Sequence, residues 1–176
     1  MKQLLDLIVS HVEHGFVASM NKNDYVTFVP KELRDKIGPP YSACVQVSVG
    51  IAERYRCGMT NTEFTDKPRE HIAYHFEEGT TGLGLAIDNT QLLFDELGRS
   101  RYRLFFTGGK DLLSLNVADV IAYECGKSWK DFIDPKRSGT IRHPLGTLLS
   151  NIPHYFVHLF GPDLGNLETA IMSSLS

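Results

Sequence analysis

The sequence lacks the features that would assign it at once to a specialised class of protein. It has no apolar run of the ~18 residues that a membrane-spanning helix needs. Its three cysteines, Cys44, Cys57 and Cys125, lie far apart and form no C-x-x-C motif, which predicts reduced, partly buried thiols. Its net charge of −3 lacks the basic excess that is typical of general nucleic-acid binders.

The N-terminus also lacks a secretory signal peptide. Asp6, His11 and Glu13 interrupt the stretch that would be its apolar region, and no small-residue cleavage site follows. Reduced cysteines and no signal peptide together predict a cytoplasmic protein.

The composition is that of an ordinary globular domain. The chain has 176 residues, of which 42% are hydrophobic and 22% are charged. This length is enough for a substantial core, and no stretch has the composition of a linker. We therefore expect residues 1–176 to form a single globular domain.

Apolar periodicity predicts both helices and strands. Helical spacing predicts helices over 2–14, 31–37, 65–78 and 86–97, and mostly helical structure from Leu145 to the end. Period-2 alternation predicts strands over 24–30, 43–55 and 101–106. Because strands and helices do not alternate regularly, we expect an α+β fold in which helices flank an antiparallel sheet.

The stretch TGLGLAI (81–87) resembles the second glycine box of histidine-kinase-type ATPases, in which glycines let the backbone approach a triphosphate. That family also has an Asn-bearing helix that holds magnesium and a D-x-G-x-G loop that recognises adenine. Neither is present, because the helix predicted over 2–14 has no Asn and no D-x-G-x-G occurs. A glycine-rich turn that starts a buried helix is the alternative, and it predicts no bound nucleotide.

Most of the histidines occur in pairs. The spacing is three residues in His11 and His14, and four in the pairs His71/His75 and His154/His158. On a helix these spacings place both rings on one face, as in zinc or iron sites. No pair has an evident third ligand, so the sequence predicts no bound metal, with a metal-dependent enzyme as an alternative. There is also no G-x-S-x-G motif for nucleophilic catalysis.

Two charged segments are candidates for binding. Glu63, Asp66, Glu77 and Glu78 form an acidic cluster, which is either a solvated face or a pair for acid–base chemistry. In the stretch GRSRYRL (98–104), which leads into the strand predicted over 101–106, Arg99, Arg101 and Arg103 are interleaved with Tyr102. They predict either a surface that grips nucleic acid or the solvent side of a strand.

A small, acidic chain without a complete catalytic set resembles, in this overall character, the immunity proteins of contact-dependent growth inhibition. The resemblance implies a stoichiometric inhibitor that is not an enzyme, needs no cofactor and occupies the surface of a basic toxin such as a nuclease. We predict that Glu63, Asp66, Glu77 and Glu78 form the partner-binding patch around an apolar centre. A metal-dependent enzyme and a nucleotide or nucleic-acid binder are the alternatives.

Overall fold

The computed structural model describes residues 2–56, 71–96, 98, 103–108, 113–133 and 143–167. Helices dominate this part of the chain, and they are joined by four short strands. In chain order the elements are α1 (Lys2–His11), β1 (Gly15–Met20), α2 (Lys22–Phe28), α3 (Lys31–Ile37), α4 (Pro40–Arg56), β2 (Ile72–Glu77), α5 (Leu83–Glu96), β3 (Arg103–Gly108), α6 (Leu113–Ile133), α7 (His143–Asn151), β4 (His154–Leu159) and a 3-10 segment (Gly161–Asn166).

The chain divides into two compact units. Unit 1 comprises residues 1–17 and 109–156, and unit 2 comprises residues 18–108 and 157–176. The single-domain organisation expected from the sequence stays a prediction.

The core of unit 1 is built by α1, α6 and α7. Leu5 and Ile8 lie three residues apart on α1 and are both buried, as the predicted apolar face of this helix requires. They pack with Ile121 of α6 and with Leu148 and Ile152. The helix ends at His11, earlier than predicted, and α6 continues through Gly126.

The core of unit 2 is built mainly by α2 to α5 and the inner side of β2 and β3. Its buried residues are Tyr25, Val29, Leu33, Ile37, Ala43, Val47, Val49, Phe94, Leu164 and Leu167. Tyr25 and Val29, and likewise Leu33 and Ile37, are four residues apart, which is the spacing that buries one side of a helix.

The prediction of an antiparallel sheet is wrong. The strands form two separate two-stranded sheets, and both are parallel. In unit 2, β2 pairs with β3 from Ile72 opposite Arg103 to Glu77 opposite Gly108. The physical reason is the connection: α5 lies between the two strands in sequence, and a helical crossover returns the chain so that the next strand runs in the same direction.

In the other sheet, β1 pairs with β4. The Gly15 N–H donates to the Pro153 carbonyl oxygen at 2.9 Å. Further along both strands, Ser19 Oγ and His158 Nδ1 are hydrogen-bonded at 2.8 Å. Since β1 and β4 lie near opposite ends of the sequence, no local turn could have predicted their pairing.

Two segments that we predicted as strands are helices. Over 43–55, the alternating valines belong to α4, whose buried residues include Ser42, Gln46, Val49 and Glu53 at helical spacing. Because α4 is covered on most of its sides, period-2 alternation does not distinguish it from a strand. Over 24–30 the chain forms most of α2, whose N-cap Asn21 accepts hydrogen bonds from the N–H groups of Asn23 and Asp24.

Two segments that we predicted as helical contain strands. Residues 72–77 form β2, in which partly buried Ile72, Tyr74 and Phe76 alternate with Ala73 and His75, both exposed. Residues 154–159 form β4, although the sequence predicted mostly helical structure from Leu145. Both strands contain aromatic and β-branched residues, which favour a pleated backbone over a helix.

The predictions of α3, α5, β3 and a helix from Leu145 are confirmed, with shifts of a few residues at the ends. The end of the segment predicted to be mostly helical from Leu145, residues 168–176, lies outside the described residues. Among the described residues, no helix has both the length and the apolar character needed to cross a membrane.

Candidate partner-binding surface

The two faces of the β2–β3 sheet carry different side chains. Successive residues of a strand point to opposite sides, so the register divides both strands between an inner and an outer face. We define the inner face by Tyr74, Phe76, Arg103 and Phe105, which contact the core of unit 2 or are themselves buried. We define the outer face by Ala73, His75, Glu77, Leu104 and Phe106.

The inner face is held by a buried ion pair. The guanidinium of Arg103 donates two hydrogen bonds to the carboxylate of Glu53 on α4, from Nε to Oε1 and from Nη2 to Oε2, both at 2.7 Å. The hydroxyl of Tyr74 donates to Glu53 Oε1 at 2.5 Å. Arg103 is 2% exposed and Glu53 is 1% exposed. This bidentate geometry fixes β3 against α4 and determines which residues of β3 point outward.

Aromatic rings complete the inner face. Phe94 of α5 stacks on Tyr74 and on Phe105, with ring centroids 6.4 Å and 6.0 Å apart. The guanidinium carbon of Arg103 lies 5.9 Å from the centroid of the Phe94 ring. The helices α4 and α5 therefore pack against the inner face.

The arginine interpretation is wrong for Arg103. We predicted that the arginines of this strand form its solvent side or grip nucleic acid, yet Arg103 is buried and paired with Glu53. Arg99 and Arg101 lie outside the described residues. A buried, paired guanidinium is not available to contact phosphate groups.

The outer face is apolar at its centre. Leu104 is 47% exposed and Phe106 is 45% exposed. The imidazole of His75 stacks on the Phe106 ring, with centroids 5.1 Å apart and planes inclined by 16°. Leu104 and Phe106 are two positions apart on one strand, so the exposed apolar side chains are neighbours.

Two of the four predicted acidic residues lie where β2 ends. Glu77 is the last residue of β2, and Glu78 follows it and is exposed. The Glu78 N–H donates to the carbonyl oxygen of Gly108 at 3.1 Å, which holds this backbone beside the end of β3. Glu63 and Asp66 lie outside the described residues. By strand alternation Glu77 is on the same side of the sheet as Leu104 and Phe106, and Glu78 follows the end of the strand.

The glycine-rich stretch forms the turn between β2 and α5. Gly82 has a φ of 86°, and a Cβ there would lie 2.3 Å from Pro39 Cγ, so this position requires glycine. Gly84 lies in the first turn of α5, where a Cβ would meet no atom within 4 Å. Leu83 and Ala86 are buried, which confirms the interpretation of a turn that starts a buried helix.

Two of the three histidine pairs, His71/His75 and His154/His158, lie in extended chain and not on a helix. His154 and His158 lie on β4, and His75 lies on β2 with His71 directly before it. In an extended chain, residues four apart are separated by about 13 Å, which is too far for two rings to bind one ion. Within the described residues, no group of three or more His, Cys, Asp or Glu side chains is placed to hold a metal ion.

The described cysteines are partly buried thiols, as predicted. Burial raises the pKa of Cys44 to about 11. Burial, reinforced by the nearby Glu124, raises the pKa of Cys125 to about 11. At neutral pH both therefore stay protonated, which makes them poor nucleophiles. Cys57 lies outside the described residues.

Searches against protein-family models, curated proteins and solved structures find no match to this chain.

Sequence reasoning missed the apolar centre of the outer face, Leu104 and Phe106. A signal was present, because RLFF (103–106) has large apolar residues at consecutive positions of one strand, so that they must point to both sides of the sheet. With Phe105 facing the core, Leu104 and Phe106 had to face the other side. Glu53 was missed as well, because the segment that contains it was predicted as a strand.

Proposed function

We propose that this protein binds a partner protein through the outer face of the β2–β3 sheet. The observation that carries the proposal is the pairing of exposed Leu104 and Phe106 with acidic residues at the end of β2. Stable interfaces commonly have an apolar, well-packed centre that provides most of the affinity and a polar rim that guides association. The outer face has both parts in one small area.

The partner that fits best is a basic bacterial toxin, which the protein neutralises by stoichiometric binding in the cytoplasm. A nuclease contacts phosphates through Lys and Arg side chains, and Glu77 and Glu78 would oppose such a surface. The chain's net charge of −3 favours encounter with a basic partner over long range. The overall resemblance to immunity proteins supports the same class. Glu63 and Asp66 remain part of the proposed patch.

The test is co-expression with a toxin encoded by the neighbouring gene, with growth of the host as the measurement. The unaltered protein should protect the host. Single alanine changes at Glu63, Asp66, Glu77 or Glu78 should preserve protection, because one rim charge contributes little affinity. Reversing all four to Lys should abolish it, because several repulsive contacts together cost several kcal/mol.

A matched control comes from α5, whose Asp88 and Asp95 are both exposed. Reversing these two to Lys makes the same change in net charge as reversing Glu77 and Glu78, but away from the outer face. We expect the α5 variant to protect and the Glu77/Glu78 variant to weaken protection. Full protection by the fourfold reversal would show that the patch is wrong. A neighbouring gene whose product is harmless would contradict the toxin assignment.

A further inference from the structure

A serine and a histidine meet where the parallel strands β1 and β4 end. Ser19 is the second-last residue of β1, and His158 is the second-last residue of β4. Ser19 Oγ lies 2.8 Å from His158 Nδ1, and both residues are partly exposed. In open α/β sheets, ligands bind outside the carboxyl ends of the strands. The pair therefore lies at the edge of the sheet where a small molecule would bind.

A carboxylate acts on the histidine of this pair. Burial lowers the pKa of His158, and the negative charge of Asp24, in the first turn of α2, opposes this shift in part. The Gly161 N–H donates to Asp24 Oδ2 at 2.9 Å and so holds the carboxylate in place. At neutral pH the imidazole is therefore uncharged and able to accept a proton. The charge of Asp24 would then stabilise the imidazolium that results.

We propose that Ser19 is a nucleophile activated by His158, with Asp24 as a positioning residue, and that this site hydrolyses small carboxylic esters. The three side chains correspond to the nucleophile, general base and carboxylate that recur together on unrelated folds. All three belong to unit 2, and they are separate from the residues that define the outer face of the β2–β3 sheet. The proposal adds an activity to the binding function and stands independently of it.

The reaction needs water as its only second reactant. The proton of the Ser19 hydroxyl passes to His158 Nδ1 while Oγ bonds to the ester carbonyl carbon, whose oxygen takes the electron pair. The bond between that carbon and the alkoxy oxygen then breaks, and the alcohol leaves with the proton from Nδ1. Water repeats the sequence on the acyl-serine: it gives a proton to Nδ1 and its hydroxyl to the acyl carbon. The carboxylic acid leaves, and Oγ regains its proton.

The ring of Phe160 provides apolar surface beside the base. It stacks on the imidazole of His158, with ring centroids 5.5 Å apart, and it is 54% exposed. Stacking restricts rotation of the imidazole and so helps to keep Nδ1 directed at Ser19 Oγ. An exposed aromatic ring next to the nucleophile favours esters with a short apolar acyl group over charged ones.

A second serine–histidine pair in the chain supplies a matched control. On α1, Ser10 Oγ lies 2.8 Å from His11 Nδ1, the same distance as in the proposed site. The Ser10 hydroxyl, however, donates to the Leu7 carbonyl oxygen at 2.9 Å, and His11 Nδ1 lies 3.0 Å from that same oxygen. Because both groups are engaged with the helix backbone, we expect Ser10 to be inert.

The first test is labelling by a fluorophosphonate, whose phosphorus an activated serine attacks with loss of fluoride. Mass spectrometry should locate the probe on Ser19 and not on Ser10. His158→Asn keeps a hydrogen-bond acceptor for Ser19 but has no basic nitrogen, so it should slow labelling at least about a hundredfold. Ser10→Ala should label normally. Equal labelling of the two serines, or labelling of a folded His158→Asn variant at the full rate, would overturn the proposal.

The second test follows the pH dependence of labelling in Asp24→Asn, whose amide oxygen can still accept from the Gly161 N–H. In the unaltered protein the rate should rise with pH to a plateau, with a midpoint below the usual 6.5 of histidine, because only the uncharged imidazole accepts a proton. Since Asp24 raises the pKa of His158, its loss should move the midpoint to lower pH. An unchanged midpoint would remove Asp24 from the site.

The third measurement is turnover of an ester. The unaltered protein should release nitrophenol from nitrophenyl acetate with an initial burst, as an acyl-serine accumulates, and Ser19→Ala should show neither burst nor turnover. Ser10→Ala should hydrolyse the ester at the normal rate. Hydrolysis that survives Ser19→Ala, or an unaltered protein that neither labels nor hydrolyses, would overturn the proposal and leave the Ser19–His158 contact as a structural hydrogen bond.

Discussion

The inner and outer faces of the β2–β3 sheet invert the usual distribution of side chains. On β3, the inner face buries Arg103, whereas the outer face exposes Leu104 and Phe106. The buried guanidinium is tolerated because Glu53 provides a bidentate counter-charge and Phe94 provides an aromatic neighbour. The proposed binding role would account for the exposure of Leu104 and Phe106. The comparison teaches that a charged side chain can stabilise the core of this fold while apolar side chains remain exposed on the face proposed to bind the partner.

The largest expected effect concerns the inner face. Glu53→Gln removes the counter-charge of a buried arginine, so it should lower the free energy of unfolding by about 3–5 kcal/mol. Denaturation by urea measures this loss. Asp35→Asn is the matched control, because it breaks the Lys31–Asp35 pair, whose side chains are 73% and 63% exposed. That variant should lose little or no stability. If Glu53→Gln and Asp35→Asn lowered the free energy of unfolding equally, the buried ion pair would contribute no more to stability than the exposed one.

The next effect concerns the glycine-rich turn between β2 and α5. Gly82→Ala should cost about 1–3 kcal/mol, because a Cβ at a φ of 86° is strained and would overlap Pro39. Gly84→Ala should instead stabilise by up to about 1 kcal/mol, because Gly84 lies in α5 with open space around it. Thermal unfolding of both variants checks the contrast. A stabilising Gly82→Ala would show that the turn differs from the one described.

A smaller effect should follow from Tyr74→Phe. This substitution removes the hydroxyl that donates to Glu53 Oε1 at 2.5 Å but keeps the ring that stacks on Phe94. We expect a loss of about 1–2 kcal/mol in the free energy of unfolding, which is the usual range for a hydrogen bond to a charged group. A loss as large as that of Glu53→Gln would mean that the hydroxyl, and not the guanidinium, is the main partner of the carboxylate.

The smallest effect on stability should come from the outer face. Phe106→Ser removes a ring that is 45% exposed, so the free energy of unfolding should change by about 1 kcal/mol or less. Urea denaturation under the same conditions as for Glu53→Gln makes the comparison direct. A loss of several kcal/mol would show that Phe106 belongs to the core and would end the distinction between the two faces.

Local signals in the sequence predicted some elements well and others wrongly, for identifiable reasons. Gly82 and the buried Leu83 and Ala86 marked the start of α5, because glycine at a left-handed position is a local requirement. The strand β3 was also found, from alternating residues. Which of its faces is buried depends on Glu53, which is distant in sequence, and the usual preference of arginine for water pointed to the wrong face.

The errors elsewhere in the fold have the same origin. The alternation over 43–55 is also compatible with a helix that is covered on most sides, as α4 is. To predict the direction of the β2–β3 pairing, β2 would first have to be recognised as a strand. The sequence analysis predicted a helix over 65–78, which includes β2, so the direction could not be predicted. Of the candidate site, the acidic Glu77 and Glu78 were predicted from composition, whereas the apolar centre depended on the burial of Arg103.

The central claim is that the partner binds on the outer face of the β2–β3 sheet. The most direct test is the dissociation constant of the complex with the neighbouring toxin, measured by calorimetry for Phe106→Asp and for the control Leu92→Asp, which changes a side chain on α5 that is 62% exposed. The account predicts that Phe106→Asp weakens binding at least about thirtyfold, as expected at a hot spot, while its unfolding free energy changes little and Leu92→Asp binds normally. Unchanged affinity of a folded Phe106→Asp variant would contradict it.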